Sequence, residues 1–107
     1  MDIEQLTNPV VYSAFTAWNT GDRDAFKALL TNDITFIHNG EYDDIMAFSD
    51  HFFFGKSLGK FTGISKTENA GQIVYATLET EETGKVDVLM VFKIVDGKII
   101  HLNAGRP

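Results

Sequence analysis

The chain has 107 residues, of which 44% are hydrophobic, and it carries a formal charge of -6 with only nine Lys and Arg. This length suits one domain with a modest core, here residues 1–107, and the acidic balance argues against nucleic acid and anionic membranes as partners. No cysteine is present, which excludes disulfides, thiolate nucleophiles and cysteine-bound zinc, and no apolar run approaches the about 20 residues of a membrane span, so we expect a soluble, cytoplasmic protein.

The first part of the chain has the spacing of two helices. Apolar residues recur three, four and seven positions apart between Val10 and Trp18, as one face of a helix requires. Asn8-Pro9 stands near the start of this face, and Asn19-Thr20-Gly21 ends it. Asp22 is then a natural N-cap for a second helix. That helix carries Ala25, Phe26, Leu29 and Leu30, and the two together predict a helical hairpin.

A strand and a third helix follow. The run Ile34–His38 is β-branched and aromatic, and Asn39-Gly40 ends it with turn chemistry. Asp43-Asp44 begins a third apolar stretch that fits a helix closed by Gly55. This stretch contains Ile45, Met46, Phe48, His51, Phe52 and Phe53.

The second half predicts strands at 58–68, 72–82, 85–95 and 98–105, joined by turns at Glu82-Thr83-Gly84 and Asp96-Gly97. Consecutive strands with such turns form an antiparallel meander. Strand 85–95 is apolar on both faces: Val86, Val88, Met90, Phe92 and Ile94 share one, and Leu89, Val91 and Val95 the other. An apolar outer face needs a cover. We therefore predict a homodimer that packs sheet to sheet.

Four segments carry a resemblance to a known family: Ala17–Asp22, Ala28-Leu29-Leu30, Asp33–Phe36 and Phe92–Ile99. In this order they resemble the nuclear transport factor 2-like superfamily, and its SnoaL-like and ketosteroid-isomerase-like branches most. The resemblance implies an α+β cone, in which three N-terminal helices pack on a strongly curved, mostly antiparallel sheet and enclose a pocket. Such domains are commonly dimeric. The resemblance fixes no activity, because this fold serves many functions.

The resemblance also implies positions for an isomerase site. The family's general-base carboxylate, near the end of the first strand, corresponds to His38 here. Its oxyanion-hole tyrosine and carboxylic acid correspond to Ala14 and Met90. An enolate needs donors where its charge develops, and the loss of one donor costs ~3 kcal/mol or more. Steroid isomerisation by the family mechanism is therefore not expected.

His38 is the candidate catalytic residue, because an imidazole can accept or donate a proton near neutral pH. The alternative is a structural histidine at a strand end, hydrogen-bonded to Asn39, Glu41 or Tyr42. His51 could line the mouth of the pocket or be an exposed helix residue. His101 alternates with Leu102 and would face the dimer partner. The three histidines lack metal-ligand spacing, and we expect neither a metal nor a cofactor.

The candidate ligand-binding residues are apolar or aromatic: Phe15, Trp18, Phe36, Phe52, Tyr75, Met90, Phe92 and Leu102. They could line a cavity for a flat or lipophilic molecule, or they could simply form the core. The acidic residues Glu41, Asp43 and Asp44 could lie at the rim of the pocket or complement a helix dipole. Arg106 could hold a ligand carboxylate or be solvated.

Two functions follow from this sequence. One is a binding domain for a small apolar molecule. The other is a cofactor-independent isomerase, cyclase or dehydratase that acts on a small apolar carbonyl compound with His38 as general acid and base. His38 in the base position favours the enzyme, whereas Ala14 and Met90 in the donor positions favour binding. We favour the binding interpretation.

Overall fold

A computed structural model of the protein describes residues 5–55 and 58–107. Among these residues there are three α-helices: α1 (Pro9–Thr20), α2 (Arg23–Lys27) and α3 (Ile45–Ser49), which continues as a π-helical turn over Asp50–Phe54. The six strands are β1 (Leu30–His38), β2 (Glu41–Asp43), β3 (Lys60–Glu68), β4 (Ile73–Thr80), β5 (Gly84–Val95) and β6 (Lys98–Gly105). In the described residues, no helix has both the length and the hydropathy needed to cross a membrane.

Capping residues mark both ends of α1 and the start of α2. Asn8 Oδ1 accepts hydrogen bonds from the N–H groups of Val10 and Val11, and Gly21 ends α1 in the left-handed region with φ 72°. Asp22 caps α2, as predicted. The prediction that α2 carries Leu29 and Leu30 is wrong, because both residues pair with the sheet. The Ile99 N–H donates to the Leu29 carbonyl at 2.8 Å, and Leu30 is the first residue of β1.

The strands form one mixed sheet in the order β2-β1-β6-β5-β4-β3. The antiparallel meander from β3 to β6 is confirmed, with strand ends within two residues of the predicted ones. β1 lies parallel to β6 and pairs His38 with Ala104. Irregular registers interrupt three of the ladders, and such bulges bend a sheet. The sheet is curved and remains open between its edge strands β2 and β3.

Strand β2 was not predicted. Asn39 and Gly40 both have positive φ, at 51° and 84°, as a two-residue hairpin turn with the twist of a sheet requires. The chain therefore folds back and pairs Asp43 with Phe36 and Glu41 with His38. All three residues of β2 are exposed, so no apolar alternation indicates a strand.

The helices pack on one face of the sheet, here called the inner face. Trp18 of α1 lies at the centre of this contact and is 1% exposed. Its ring centroid is 4.7 Å from that of Phe26 in α2, 5.3 Å from Phe53 in the π-helical turn and 5.5 Å from Phe61 in β3. One aromatic side chain thus contacts three neighbouring elements.

Two hydrogen-bonded contacts fix α1 further. The indole Nε1 of Trp18 donates to Ser49 Oγ in α3 at 3.0 Å, and Ser49 is fully buried. At the end of α1, the Asn19 amide pairs with the backbone of Phe61: Oδ1 accepts from its N–H at 2.8 Å and Nδ2 donates to its carbonyl at 3.1 Å. The helix is therefore attached to both α3 and β3.

An ion pair on the surface joins α2 to the π-helical turn. Arg23 Nε lies 2.7 Å from Asp50 Oδ1, and a second guanidinium nitrogen lies 3.2 Å from Oδ2. The hydrogen bond from Arg23 lowers the pKa of Asp50, and the same bond raises the pKa of Arg23. Because the folded pKa of Asp50 is depressed, the pair stabilises the fold above the ordinary aspartate pKa and loses that effect as the pH falls through the folded value.

We expect Ser49→Ala to lower the free energy of unfolding by about 1–3 kcal/mol, because the indole N–H of Trp18 would stay buried without an acceptor. The measurement is urea unfolding followed by tryptophan fluorescence. Ser13→Ala is the matched control, since Ser13 lies on the exposed side of α1. Equal unfolding midpoints for the two variants would show that the indole hydrogen bond contributes nothing.

Candidate functional site

A cavity of about 240 Å³ lies between the inner face of the sheet and the segment formed by α3 and its π-helical turn. Most of its wall is apolar and comes from Phe48, Phe52, Phe61, Leu78, Val86, Val88, Met90 and Ala104. The polar side chains that join them are His38, Asn39, Thr83 and Arg106, and residues Asp87 and Gly105 complete the lining. The cavity is thus an apolar space with a few polar groups in its wall.

His38 reaches this cavity because of its place in β1. Side chains alternate along a strand, and Phe36, two residues earlier, is buried on the inner face. The imidazole of His38 stacks on Phe36 with 6.0 Å between ring centroids and meets the Phe48 ring edge to face at 4.9 Å. Its side chain is 30% exposed. The ring is therefore held by two aromatic neighbours and still open to a molecule in the cavity.

Two polar groups face the imidazole of His38. Asp43 Oδ2 lies 3.8 Å from Nδ1, and the Asn39 amide nitrogen lies 3.4 Å from Nε2. An amide N–H can only donate to a ring nitrogen with a lone pair. This contact favours the tautomer with its proton on Nδ1, on the side of the Asp43 carboxylate, and the lone pair of Nε2 then accepts from Asn39. Nε2 can act as a general base once a bound molecule displaces the Asn39 amide.

The structure places only some of the predicted binding residues at the cavity. His38, Phe52 and Met90 line it. Five others do not line it and instead form the core, each 2% exposed or less: Phe15, Trp18, Phe36, Phe92 and Leu102. Phe15 fills the space between the helices and the sheet, with ring centroids 4.5 Å from Phe61 and 6.1 Å from Phe92. The cavity is therefore confined to the end of the sheet near His38.

Tyr75 is also absent from the cavity, because it lies on the outer face of β4. Its neighbours Val74 and Ala76 are buried on the inner face, and alternation turns Tyr75 the other way. There its hydroxyl donates to Glu68 Oε1 at 3.3 Å, and the ammonium of Lys66 lies 4.6 Å from the ring centroid. The outward orientation of Tyr75 follows from alternation along β4: Val74, Ala76 and Leu78 share the inner face, and Tyr75 and Thr77 lie between them on the outer face.

Several residues of the site lie outside the set of candidate binding residues chosen from the sequence. Phe48 can be recognised from the sequence as an aromatic lining residue, because it lies one helical turn before Phe52. Phe61 and Leu78 meet because they are paired between β3 and β4, a register that no local pattern reveals. The position of Asp43 beside His38 depends on the two-residue hairpin at Asn39-Gly40, for which that dipeptide was the signal.

The other two histidines lie outside the cavity wall. His51 is exposed, and its Nε2 lies 2.7 Å from Glu82 Oε2 in the turn between β4 and β5. His101 is half-buried in β6 beside the fully buried Leu102, which agrees with the predicted alternation. Within residues 5–55 and 58–107, no three His, Asp or Glu side chains are grouped in a way that could hold a metal ion.

A second, larger concavity of about 570 Å³ lies between α2, β1, β2 and α3. It is a broad groove, and its wall mixes charged residues such as Lys27 and Asp44 with aliphatic ones such as Leu30 and Ile34. It contains no histidine. We take the smaller cavity as the candidate site, because it combines a mainly apolar wall with a group that can transfer a proton.

Comparison with solved structures finds the same fold in several bacterial proteins. A candidate ketosteroid isomerase from Kribbella flavida superposes with a TM-score of 0.76 at 18% identity, over 97% of this chain and 78% of the other. A candidate polyketide cyclase from Sinorhizobium meliloti gives 0.75 at 17% identity, over 97% and 99%. A cystatin-fold protein from Novosphingobium aromaticivorans gives 0.71 at 14%, over 89% and 93%. A comparison with curated protein sequences found no match.

The family comparison identifies the chain itself. The model of the SnoaL-like domain matches residues 11–102, which run from the first turn of α1 into β6 and include His38 and Asp43. The structural likeness agrees with this match, because three helices on a curved, open, mostly antiparallel sheet are the nuclear transport factor 2-like, cystatin-like architecture that the sequence predicted. The chain therefore belongs to the SnoaL-like domain family, within the nuclear transport factor 2-like superfamily.

Proposed function

We propose that this protein binds a small, largely apolar molecule in the cavity beside His38. The observation that carries the proposal is the cavity wall, which is apolar over most of its area and presents a few polar side chains. Ligand sites in proteins commonly have this composition. The volume of about 240 Å³ lies below the about 300–1,000 Å³ of most such sites. It suits a molecule with one ring or a short chain better than a four-ring skeleton.

A cofactor-independent isomerase, cyclase or dehydratase is the second candidate, and the contact between His38 and Asp43 favours it. In such a reaction, the substrate would displace the Asn39 amide from Nε2 of His38. Nε2 would then take a proton from the carbon next to the substrate's carbonyl group and return it to the product. The Asp43 carboxylate near Nδ1 would stabilise the imidazolium formed in between. Two similar structures are described as a candidate ketosteroid isomerase and a candidate polyketide cyclase.

The same site lacks the donors that the family's isomerase mechanism needs. By the family resemblance, Ala14 and Met90 correspond to those donors. Both are buried apolar side chains, and of the two only Met90 lines the cavity. The hydroxyl of Thr83 is already hydrogen-bonded to Thr80 and to the carbonyl of Gly84. An enolate in the cavity would depend on Asn39 or Arg106 for its oxygen. This difference is why binding remains our first proposal.

The ligand site can be tested by filling it. We expect small aromatic ketones such as phenylacetone to shift the NMR resonances of Phe52, Val88 and Met90. Val88→Phe should abolish these shifts, because the larger ring would occupy the cavity. Val95→Phe makes the same change at the exposed end of β5 and should leave them intact. Shifts that persist in Val88→Phe would place the ligand elsewhere.

The enzymatic candidate has a separate test. We expect the wild-type protein to accelerate deuterium exchange next to the carbonyl group of phenylacetone, and His38→Gln to lower that rate by about a hundredfold or more. Asp43→Asn should lower it less, because Asp43 acts through His38. His101→Gln, on the outer face of β6, is the matched control. If the wild-type protein gives no acceleration, or His38→Gln keeps it, the enzymatic candidate fails and the binding proposal is unaffected.

We also propose that two copies of the chain pack through the outer face of the sheet. Cross-strand pairing aligns Ile73, Val91, Asn103, Ile37 and Tyr42 in one row over five strands. Ile73, Val91 and Ile37 are half-buried, and Tyr42 is 83% exposed. A mainly apolar row of this length is a surface that association would remove from water. The cytoplasmic location expected from the sequence stays a prediction.

Sedimentation velocity tests this assembly. We expect a dimer for the wild-type protein and a monomer for Val91→Lys, because the charge would be placed in the middle of the apolar row. Ser13→Lys adds the same charge on the exposed side of α1, away from the outer face of the sheet, and should leave the dimer intact. A monomeric wild-type protein at micromolar concentration would contradict the proposal.

A further inference from the structure

Arg106 is the one Lys or Arg among the residues that line the cavity. It follows β6 directly and is exposed. None of the hydrogen bonds and ion pairs among residues 5–55 and 58–107 includes its side chain. Arg106 thus belongs to the wall of a mainly apolar cavity, and its guanidinium group has no partner among the described residues.

The topology explains why Arg106 and His38 belong to the same site. β1 and β6 are parallel, so their carboxyl ends meet at one edge of the sheet, and His38 pairs with Ala104. Ala104 is buried on the inner face. Arg106 comes two residues later, which returns it to the same face in an extended chain. The end of β1 supplies the imidazole, and the end of β6 supplies the guanidinium.

The nearby carboxylates already have other contacts. Asp87 is the one acidic residue that lines the cavity, and its Oδ1 accepts a hydrogen bond from Thr77 at 3.1 Å. Asp43 faces Nδ1 of His38, and Glu82 is paired with His51. None of these carboxylates forms an ion pair with Arg106 among the described residues. Across the part of the chain that the structure describes, the charge on Arg106 is therefore unpaired.

From this arrangement we infer that the cavity selects small carboxylates with an apolar body, and that Arg106 is the residue that binds the carboxylate. The inference rests on the proposed function, since it needs the cavity to be the ligand site. Arg106 offers the planar, two-pronged donor geometry that matches a carboxylate. Phe48, Phe52, Val88 and Met90 offer the apolar surface for the rest of the molecule.

The net charge of -6 means that a preference for carboxylates cannot come from the overall charge of the protein. An acidic protein repels small anions in general, and salt screens such long-range repulsion. A carboxylate that binds more tightly than an uncharged molecule of the same shape must therefore gain from a local contact with a cation.

The experiment compares 3-phenylpropanoate with its uncharged analogue 3-phenylpropanamide, which has almost the same shape. Both are titrated by NMR into wild-type protein, Arg106→Gln and Lys93→Gln. Lys93 is exposed in β5 and outside the cavity lining, so Lys93→Gln changes the net charge equally. We expect the wild-type protein to bind the acid about tenfold or more tightly than the amide, as charge-assisted hydrogen bonds allow. Arg106→Gln should remove this preference, and Lys93→Gln should keep it.

The outcomes separate the inference from the function on which it rests. Equal affinity of the wild-type protein for acid and amide overturns the carboxylate inference and leaves the binding proposal intact. Equal losses of acid binding in Arg106→Gln and Lys93→Gln overturn the role of Arg106. If neither compound nor any ketone shifts the resonances of Phe52, Val88 and Met90, the ligand site itself is wrong, and the inference falls with it.

Discussion

The buried indole of Trp18 is the contact on which the rest of the molecule depends. Its ring packs against α2, the π-helical turn and β3, and its N–H donates to Ser49 in α3. These contacts fix the segment from Ile45 to Phe54, which carries two of the aromatic rings that wall the cavity. Because an indole N–H loses its hydrogen bond to water on burial, Ser49 also selects one position for α3. The core therefore determines where the cavity is and how large it is.

The chemistry of the site depends on a second constraint, the parallel pairing of β1 with β6. In a purely antiparallel sheet, the end of β1 would lie beside the start of β6. Parallel pairing instead places His38 beside Ala104 and next to the last residues of the chain. The hairpin at Asn39-Gly40 then folds β2 back, so that Asp43 faces the imidazole. The parallel pairing of β1 with β6 thus brings the end of β6 to His38, and the hairpin brings Asp43 to it from the exposed strand β2.

Local chemistry made much of the fold predictable. Asn8, Gly21 and Asp22 cap their helices with the geometry that their residue types favour. The four meander strands follow from alternation and from turn residues. Local patterns fail at two places. Leu30 fits a helical pattern but pairs with β6 as a strand residue, and the three residues of β2 are all exposed, so no alternation of burial indicates a strand. In both places, partners from elsewhere in the chain decide the outcome.

The cavity was harder to predict than the fold, because an aromatic residue can serve a core or a pocket equally well. Phe52 and Phe92 are similar in chemistry, yet only Phe52 lines the cavity. The difference comes from the strand registers and from the π-helical turn, which three-dimensional packing sets. His38 could be identified from the sequence, because its position at a strand end before a turn is a local feature.

The contact between Asn19 and Phe61 has a consequence for the exposed edge of the sheet at β3. β3 is a nine-residue edge strand, and an exposed edge of this kind can template pairing with another chain. The Asn19 amide occupies the N–H and carbonyl of Phe61 as a neighbouring strand would. One helix side chain therefore interrupts the ladder that an incoming strand would need. At Phe61, this edge of the sheet is closed to the addition of a strand from another chain.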